Sequence, residues 1–222
     1  MPNQSLIQSI RTLHPDVEII MASKYLTPND FESFIQAGIT QFGESRVEAL
    51  EAKLPVLQTL NVSIHFLGTL QTKKVKKIIN AIDCLHSLDR LKLAKEINKR
   101  RLTPLKCFIQ VNISNESQKH GLSVHEVEPF LNALSAYSNI EVIGLMGMGE
   151  LTDDQTVIKK QFDRLKTLKD TLNQTYPTLN KLSMGMSNDY KVALSVGTTH
   201  LRLGRILLDG GYDEKEKTKK SI

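Results

Sequence analysis

A lysine one serine beyond an apolar run is the first residue of this sequence with chemistry to offer. Lys24 follows Ile19-Ile20-Met21-Ala22, so its stem starts at the end of a buried strand. Partial desolvation there disfavours the charged form of an amine and readies it for Schiff-base formation. By position alone, a strand-end lysine snorkelling to solvent is the commoner outcome. The segment Met184-Gly185-Met186-Ser187-Asn188-Asp189 reads as strand, glycine turn and helix start. Such a turn offers backbone N–H groups and the Ser187 hydroxyl at the positive end of a helix dipole, a cradle for phosphate or carboxylate. An ordinary serine N-cap is its plainer reading. Arg202-Leu203-Gly204-Arg205 adds two guanidinium groups near the end of the chain.

Weaker candidates have simpler readings. His65, within Ile64-His65-Phe66-Leu67, reads as a hydrogen-bonded core histidine. Lys73, Lys74, Lys76 and Lys77 surround Val75 and would suit RNA, but a solvated helix face is the simpler account. No aromatic residues interleave there for base stacking. Met146, Met148, Met184 and Met186 read as packing. The two cysteines, Cys84 and Cys107, lie in apolar segments without CxxC spacing. They read as buried free thiols, not as a disulfide framework or a zinc site.

The elements that must position these residues alternate. Val17–Ala22 reads as a strand, and Thr27-Pro28-Asn29-Asp30 opens a helix through Ala37. Strands at Ile39–Phe42, Ile64–Leu67 and Cys84–His86 follow, each leading into a helix: about Arg46–Leu60, Gln71–Ala81 and Leu88–Arg101, the last capped by Ser87. Cys107–Ile113 is the clearest strand, and Ser123-Val124-His125-Glu126 is a capping box for a helix to Ala136. Strands at Ile140–Leu145, Lys181–Met184 and His200–Leu203 alternate with a helix that Thr152-Asp153-Asp154-Gln155 caps, reaching about Asn173, and one from Asn188 to Ser195. Strict alternation argues a parallel sheet, and this many repeats argue closure into a single (β/α)8 TIM barrel. A doubly wound open sheet is the runner-up, without a GxGxxG turn to support it. In a barrel the candidate residues all fall at the carboxyl ends of strands. Phosphate often binds there, after the seventh and eighth strands.

Composition sets the outer bounds. The 222 residues are 40% hydrophobic and 24% charged, which suits one globular domain and excludes general disorder. No apolar run approaches the roughly 18 residues of a membrane span, and the opening residues lack a secretory pattern, so a cytoplasmic protein is expected. Residues 1–211 read as the barrel and 212–222 as a charged, frayed tail. The formal net charge of +5 invites an anionic ligand. A phosphate monoester, bringing about −1.5 to −2, would answer part of it and leave nucleic acid as the alternative.

Met21-Ala22-Ser23-Lys24 with Phe42-Gly43-Glu44-Ser45-Arg46 resembles the pyridoxal phosphate homeostasis proteins, which are related in fold to the barrel domain of alanine racemase. The resemblance continues through His65-Phe66-Leu67-Gly68, His86-Ser87-Leu88-Asp89, Val111–Ser114 with Lys119 and Gly121, Leu182–Ser187 and Arg202-Leu203-Gly204. It implies pyridoxal 5'-phosphate (PLP) as the cofactor, held as a Schiff base on Lys24. It further implies that Ser187, Gly204 and Arg205 surround the phosphate and that Arg202 faces the pyridine nitrogen; Ser45 and Met184 complete the candidate set. Three positions depart from the family pattern: Ser45 where Asn is usual, Arg205 where Thr is frequent, and Tyr25 where Thr is common.

The resemblance implies a carrier or buffer in vitamin B6 homeostasis, not a robust catalyst. Racemases bring a second domain and a second acid–base group, whereas one barrel fills this length. A monomer serving apo-enzymes is expected, with no metal and no membrane. Two alternatives stay open: a Schiff-base barrel enzyme such as a weak racemase or aldolase, and an RNA- or partner-binding protein using Lys73–Lys77.

Overall fold

The computed structural model describes residues 1–114 and 120–210. Lys119 and the tail at 212–222 lie outside the described residues. Eight parallel strands close into a barrel in sequence order: β1 Glu18–Ala22, β2 Gln41–Glu44, β3 Ser63–Phe66, β4 Cys84–Leu88, β5 Leu105–Val111, β6 Ile140–Gly147, β7 Lys181–Ser183 and β8 His200–Leu203. β8 pairs back with β1 through Ile20 and Arg202, among others. The helices are α1 Gln4–Leu13, α2 Phe31–Gln36, α3 Val47–Leu57, α4 Val75–Ile78, α5 Leu91–Arg100, α6 Val127–Leu134, α7 Gln155–Asn173 and α8 Tyr190–Val196. The expected (β/α)8 architecture is therefore the one observed. No described helix is long and apolar enough to cross a membrane.

The local signals that located helices have visible causes. Asp154 caps α7 by accepting the N–H groups of Thr156 and Val157. Thr27–Asp30 and Ser123–Glu126 form reciprocal capping boxes, each opening a 3-10 turn before its helix. Gly197 ends α8 in the left-handed region at φ 95°, a conformation that costs a residue with a Cβ.

Several boundaries differ from the sequence reading. Ser87 is not a helix cap: β4 runs on to Leu88, and the Ser87 hydroxyl donates to the Gly68 carbonyl at 2.6 Å. The basic helix shrinks to one 3-10 turn and the four residues of α4. Helix α1 was not foreseen. Asn3 caps it through Leu6 N–H, and it buries Ile7 and Ile10. The segment ahead of it is tied to the chain after β8: Asn3 N–H donates to the Leu207 carbonyl at 2.7 Å, and Pro2 bridges Leu208. Among the described residues no α-helix follows β8, only a 3-10 turn at Arg205–Leu207, and this N-terminal segment packs against that stretch.

Two cores result. The larger lies between the outer strand faces and the helices, where Phe31 meets Phe42 edge-on at 5.0 Å. The smaller lies inside the barrel and contains Cys84, Phe108 and Met146. Barrel interiors are usually filled by branched aliphatic side chains. Here His65, His86, Ser183, His200 and Arg202 are buried there instead, with His86 stacked on Phe108 at 4.6 Å. Closure of the barrel leans on Gly144, paired with Lys181. A Cβ on it would stand 2.1 Å from the Lys181 carbonyl oxygen.

That contact separates two kinds of substitution. Asp154→Ala removes a cap and should cost about 1 kcal/mol. Gly144→Ala forces β6 from β7 and should cost more than about 3 kcal/mol. Urea unfolding of both variants measures the ratio; equal costs would contradict the close approach.

Candidate functional site

Lys24 sits in a 3-10 turn, Ser23–Tyr25, immediately after β1. Its side chain is exposed, so the desolvation expected from its neighbours in sequence is not what the fold provides. What the fold provides instead is an anchored turn. Lys53, reaching from α3, donates to the Ser23 carbonyl at 2.6 Å and to Glu44 Oε2 at 2.6 Å. Glu44 also accepts the Ser45 N–H at 2.8 Å, and Ser23 Oγ donates to the Gly43 carbonyl at 3.1 Å. The Glu44 side chain is 1% exposed and that of Lys53 11%. A buried ion pair thus clamps the backbone on either side of the β1–β2 ends, and Ser45 projects outward from the same corner.

The two departures Tyr25 and Arg205 meet in space. Lys24 Nζ lies 4.7 Å from the Tyr25 ring centroid and Arg205 Cζ lies 5.9 Å from it. A hydrogen bond from Lys24 lowers the Tyr25 pKa, and both cations add to the effect. The corner has room beside Gly204: even a Cβ there would reach only ordinary contact, 3.8 Å, with Ala22 Cβ and Tyr25 Cε2.

The β7–β8 corner is also assembled, although differently from expectation. Arg202 N–H donates to the Gly185 carbonyl at 2.9 Å, which joins the two segments picked out in the sequence. Asp189, not Ser187, is the N-cap of α8, and its carboxylate accepts Met186 N–H at 2.5 Å. Ser187 is half-buried in the turn before it. Met184 is fully buried in the main core, so any ligand contact there falls to its backbone.

Arg202 is the buried member. It is 6% exposed, and its Nη1 donates to Ser183 Oγ at 2.6 Å and its Nη2 to the Gly147 carbonyl at 3.0 Å. Burial lowers its pKa to about 10, with Asp189 opposing the shift, so it stays a cation at neutral pH. Burial in turn raises the Asp189 carboxyl.

Behind Arg202 runs a hydrogen-bonded line that single-sequence reasoning missed. Ser183 Oγ meets His86 Nδ1 at 2.8 Å, His86 Nε2 meets His65 Nδ1 at 2.9 Å, and His65 Nε2 meets Gln41 Oε1 at 2.7 Å. Its direction follows from its ends. Arginine can only donate and the Gln41 carbonyl oxygen can only accept. Ser183 therefore donates to His86, His86 to His65 and His65 to Gln41, with both imidazoles neutral. Burial lowers His65 to about 3 and His86 well below its ordinary value, in keeping with that assignment. The sequence signal was period-two spacing: Gln41, His65, Ser183 and Arg202 all occupy inward positions of their strands.

Of the four lysines weighed for RNA, two are paired with acids of α3: Lys74 with Glu48 at 2.6 Å and Lys77 with Glu51 at 2.9 Å. Cys84 and Cys107 are both buried free thiols whose pKa values burial raises.

Known proteins share the family and the barrel fold. Residues 7–210 match the family described as alanine racemase, N-terminal domain. A pyridoxal phosphate homeostasis protein of Aquifex aeolicus is 34% identical over 194 residues, covering 86% of this chain and 85% of that protein. The solved structure of PipY from Synechococcus elongatus, with PLP bound, superposes with a TM-score of 0.81 at 28% identity, covering 92% of this chain and 98% of that one. Alanine racemase from Corynebacterium glutamicum shares the fold at a TM-score of 0.75 and 13% identity, with 92% of this chain matching 60% of that chain.

The buried clamp can be broken from one side. Glu44→Gln leaves the Lys53 ammonium buried without its counter-ion and should cost about 3–5 kcal/mol in urea unfolding. A loss below about 1 kcal/mol would show that Lys53 simply turns to solvent.

Proposed function

The chain belongs to the alanine racemase N-terminal domain family, among the pyridoxal phosphate homeostasis proteins, and on that premise we propose that it binds PLP at the carboxyl mouth of its barrel and carries or buffers it. The observation that carries this reading is the meeting of Lys24, Tyr25 and Arg205 beside Gly204, with the buried Arg202 beneath. An exposed amine on a clamped turn, a cation and an open glycine corner suit an aldehyde that bears a phosphate. Lys24 is the amine that holds it as a Schiff base. Arg205, Gly204 and Ser187 take the phosphate, Ser45 and the Met184 backbone border it, and Arg202 meets the ring nitrogen.

Bound PLP supplies an electrophilic carbonyl and a ring that withdraws electrons strongly only when its nitrogen is protonated. Arg202 spends two of its N–H groups on Ser183 and Gly147 and keeps others on the same fork. As a permanent donor it leaves the pyridine unprotonated, which favours holding the cofactor over carbanion chemistry. Tyr25, between Lys24 and Arg205, is the side chain closest to blocking or releasing the amine. The reading makes the protein a cytoplasmic monomer that passes cofactor to apo-enzymes. Pairing of Lys74 and Lys77 with glutamates weighs against an RNA surface.

The test is the visible spectrum of the purified protein with added PLP. Uptake should give a Schiff-base band that borohydride bleaches, with the reduced adduct mapped to Lys24 and absent from Lys24→Ala. No uptake, or an adduct on another lysine, would overturn the assignment. Racemase or aldolase turnover that vanishes in Lys24→Ala would favour the enzyme reading. Salt-sensitive RNA association that survives it would favour the RNA reading.

A further inference from the structure

The polar interior does not end at Arg202. A cavity of about 480 Å³ opens at the amino ends of the strands, on the opposite side of the barrel from Lys24, and His65 and Cys84 line it. His86 lies next to both. One ligand atom each from His65, Cys84 and His86 lies within 4.8 Å of the other two, and all three residues are buried. We propose that His65, Cys84 and His86 form a binding site for a thiophilic divalent metal ion of the zinc type, entered through the amino-end cavity.

Three independent features support it. The donor set is two imidazoles and a sulfur, which suits zinc in a site that keeps its fourth position for water on the cavity side. Each ring is oriented from behind: Gln41 Oε1 bonds His65 Nε2 and Ser183 Oγ bonds His86 Nδ1, which leaves His65 Nδ1 and His86 Nε2 facing each other 2.9 Å apart. Outer partners of that kind fix the ring orientation of metal-binding histidines. The rim of the cavity is acidic, with Asp16, Glu18, Asp83 and Glu141 against Lys106 and Lys181. In a chain of net charge +5 this mouth is the opposite sign, and it draws cations inward.

Binding requires the His65–His86 hydrogen bond to break. Tetrahedral zinc separates its ligand atoms by roughly 3.3–3.6 Å, so the two nitrogens part from 2.9 Å and the sulfur, within 4.8 Å of both, closes in. Two N–metal bonds and one S–metal bond form, and the Cys84 S–H bond breaks, its proton going to solvent. The proton on His86 Nε2 passes to Nδ1, which then donates to Ser183 Oγ, while the Ser183 hydroxyl turns its own proton away and still accepts from Arg202. One proton leaves per ion and no electron is transferred. Cysteine spacing gave no hint of this, because the partners of Cys84 come from its own strand and from β3, not from the other cysteine. Cys107 is buried in the outer core and serves as the internal control.

The experiment uses the full chain, reduced and stripped with chelator, without PLP. Cobalt(II) serves as the optical probe and zinc(II) is followed by equilibrium dialysis. The expected result is one ion per chain, a thiolate-to-cobalt charge-transfer band, and release of one proton per ion in weak buffer. Cys84→Ser should abolish the band and weaken zinc binding at least tenfold, and Cys107→Ser should change neither. His65→Gln, checked for folding by circular dichroism, should weaken binding about 10- to 100-fold. The absence of saturable binding in the unmodified chain, or a band that survives Cys84→Ser, would overturn the proposal.

Discussion

A guanidinium inside a β-barrel is the constraint around which this structure is organised. Removing such a charge from water costs several kcal/mol unless acceptors and a counter-charge meet it. Arg202 finds them in Ser183 Oγ, the Gly147 carbonyl and the field of Asp189. Each partner then needs its own place. Asp189 must be buried near the start of α8, Ser183 must point inward from β7, and β6 must end with its carbonyl toward the axis. Ser183, once it accepts from Arg202, has one proton to give, and His86 receives it. The neutral state of both histidines follows from that single cation.

The corner proposed to take the cofactor is built on a different principle. The Lys24 amine is exposed, so its position comes from the backbone under it. The Lys53–Glu44 pair holds the Ser23 carbonyl and the Ser45 N–H together, and so fixes the turn from which Lys24 leaves. An exposed side chain on a clamped turn, together with the buried cation Arg202, is the arrangement on which the proposed holding of PLP rests.

The fold was legible because its signals are local. Strand and helix alternate with clear caps at Thr27, Ser123 and Asp154, and Gly197 stops a helix where only a left-handed residue fits. The misreadings have equally local causes. Ser87 and Ser187 carry a cap's chemistry, but Ser87 remains in β4 with its hydroxyl on Gly68, and Asp189 caps α8 in place of Ser187. Lys24 follows an apolar run, yet the chain turns outward at Ser23 and exposes it. Helix α1 escaped because its partner, the segment 206–209, is nearly the whole chain away.

The sequence alone determined the closed parallel barrel and the strand ends at which chemistry collects, because periodicity and capping are properties of neighbouring residues. It also marked Lys24, Arg202 and Gly204 as a group, through motifs that a family shares, with Arg205 as a departure beside them. Only the tertiary structure decided which of these are buried and what each touches. The Tyr25–Arg205 contact, the Lys53–Glu44 clamp, the line from Arg202 to Gln41 and the approach of His65 to Cys84 all join different elements. These partners, taken between elements, stand from 9 positions apart in Lys53–Glu44 to 180 in Tyr25–Arg205, and nothing in a linear sequence states which inward positions share a layer. Closure and shear of the barrel set that, and they brought five separated polar residues into one unbroken set of hydrogen bonds.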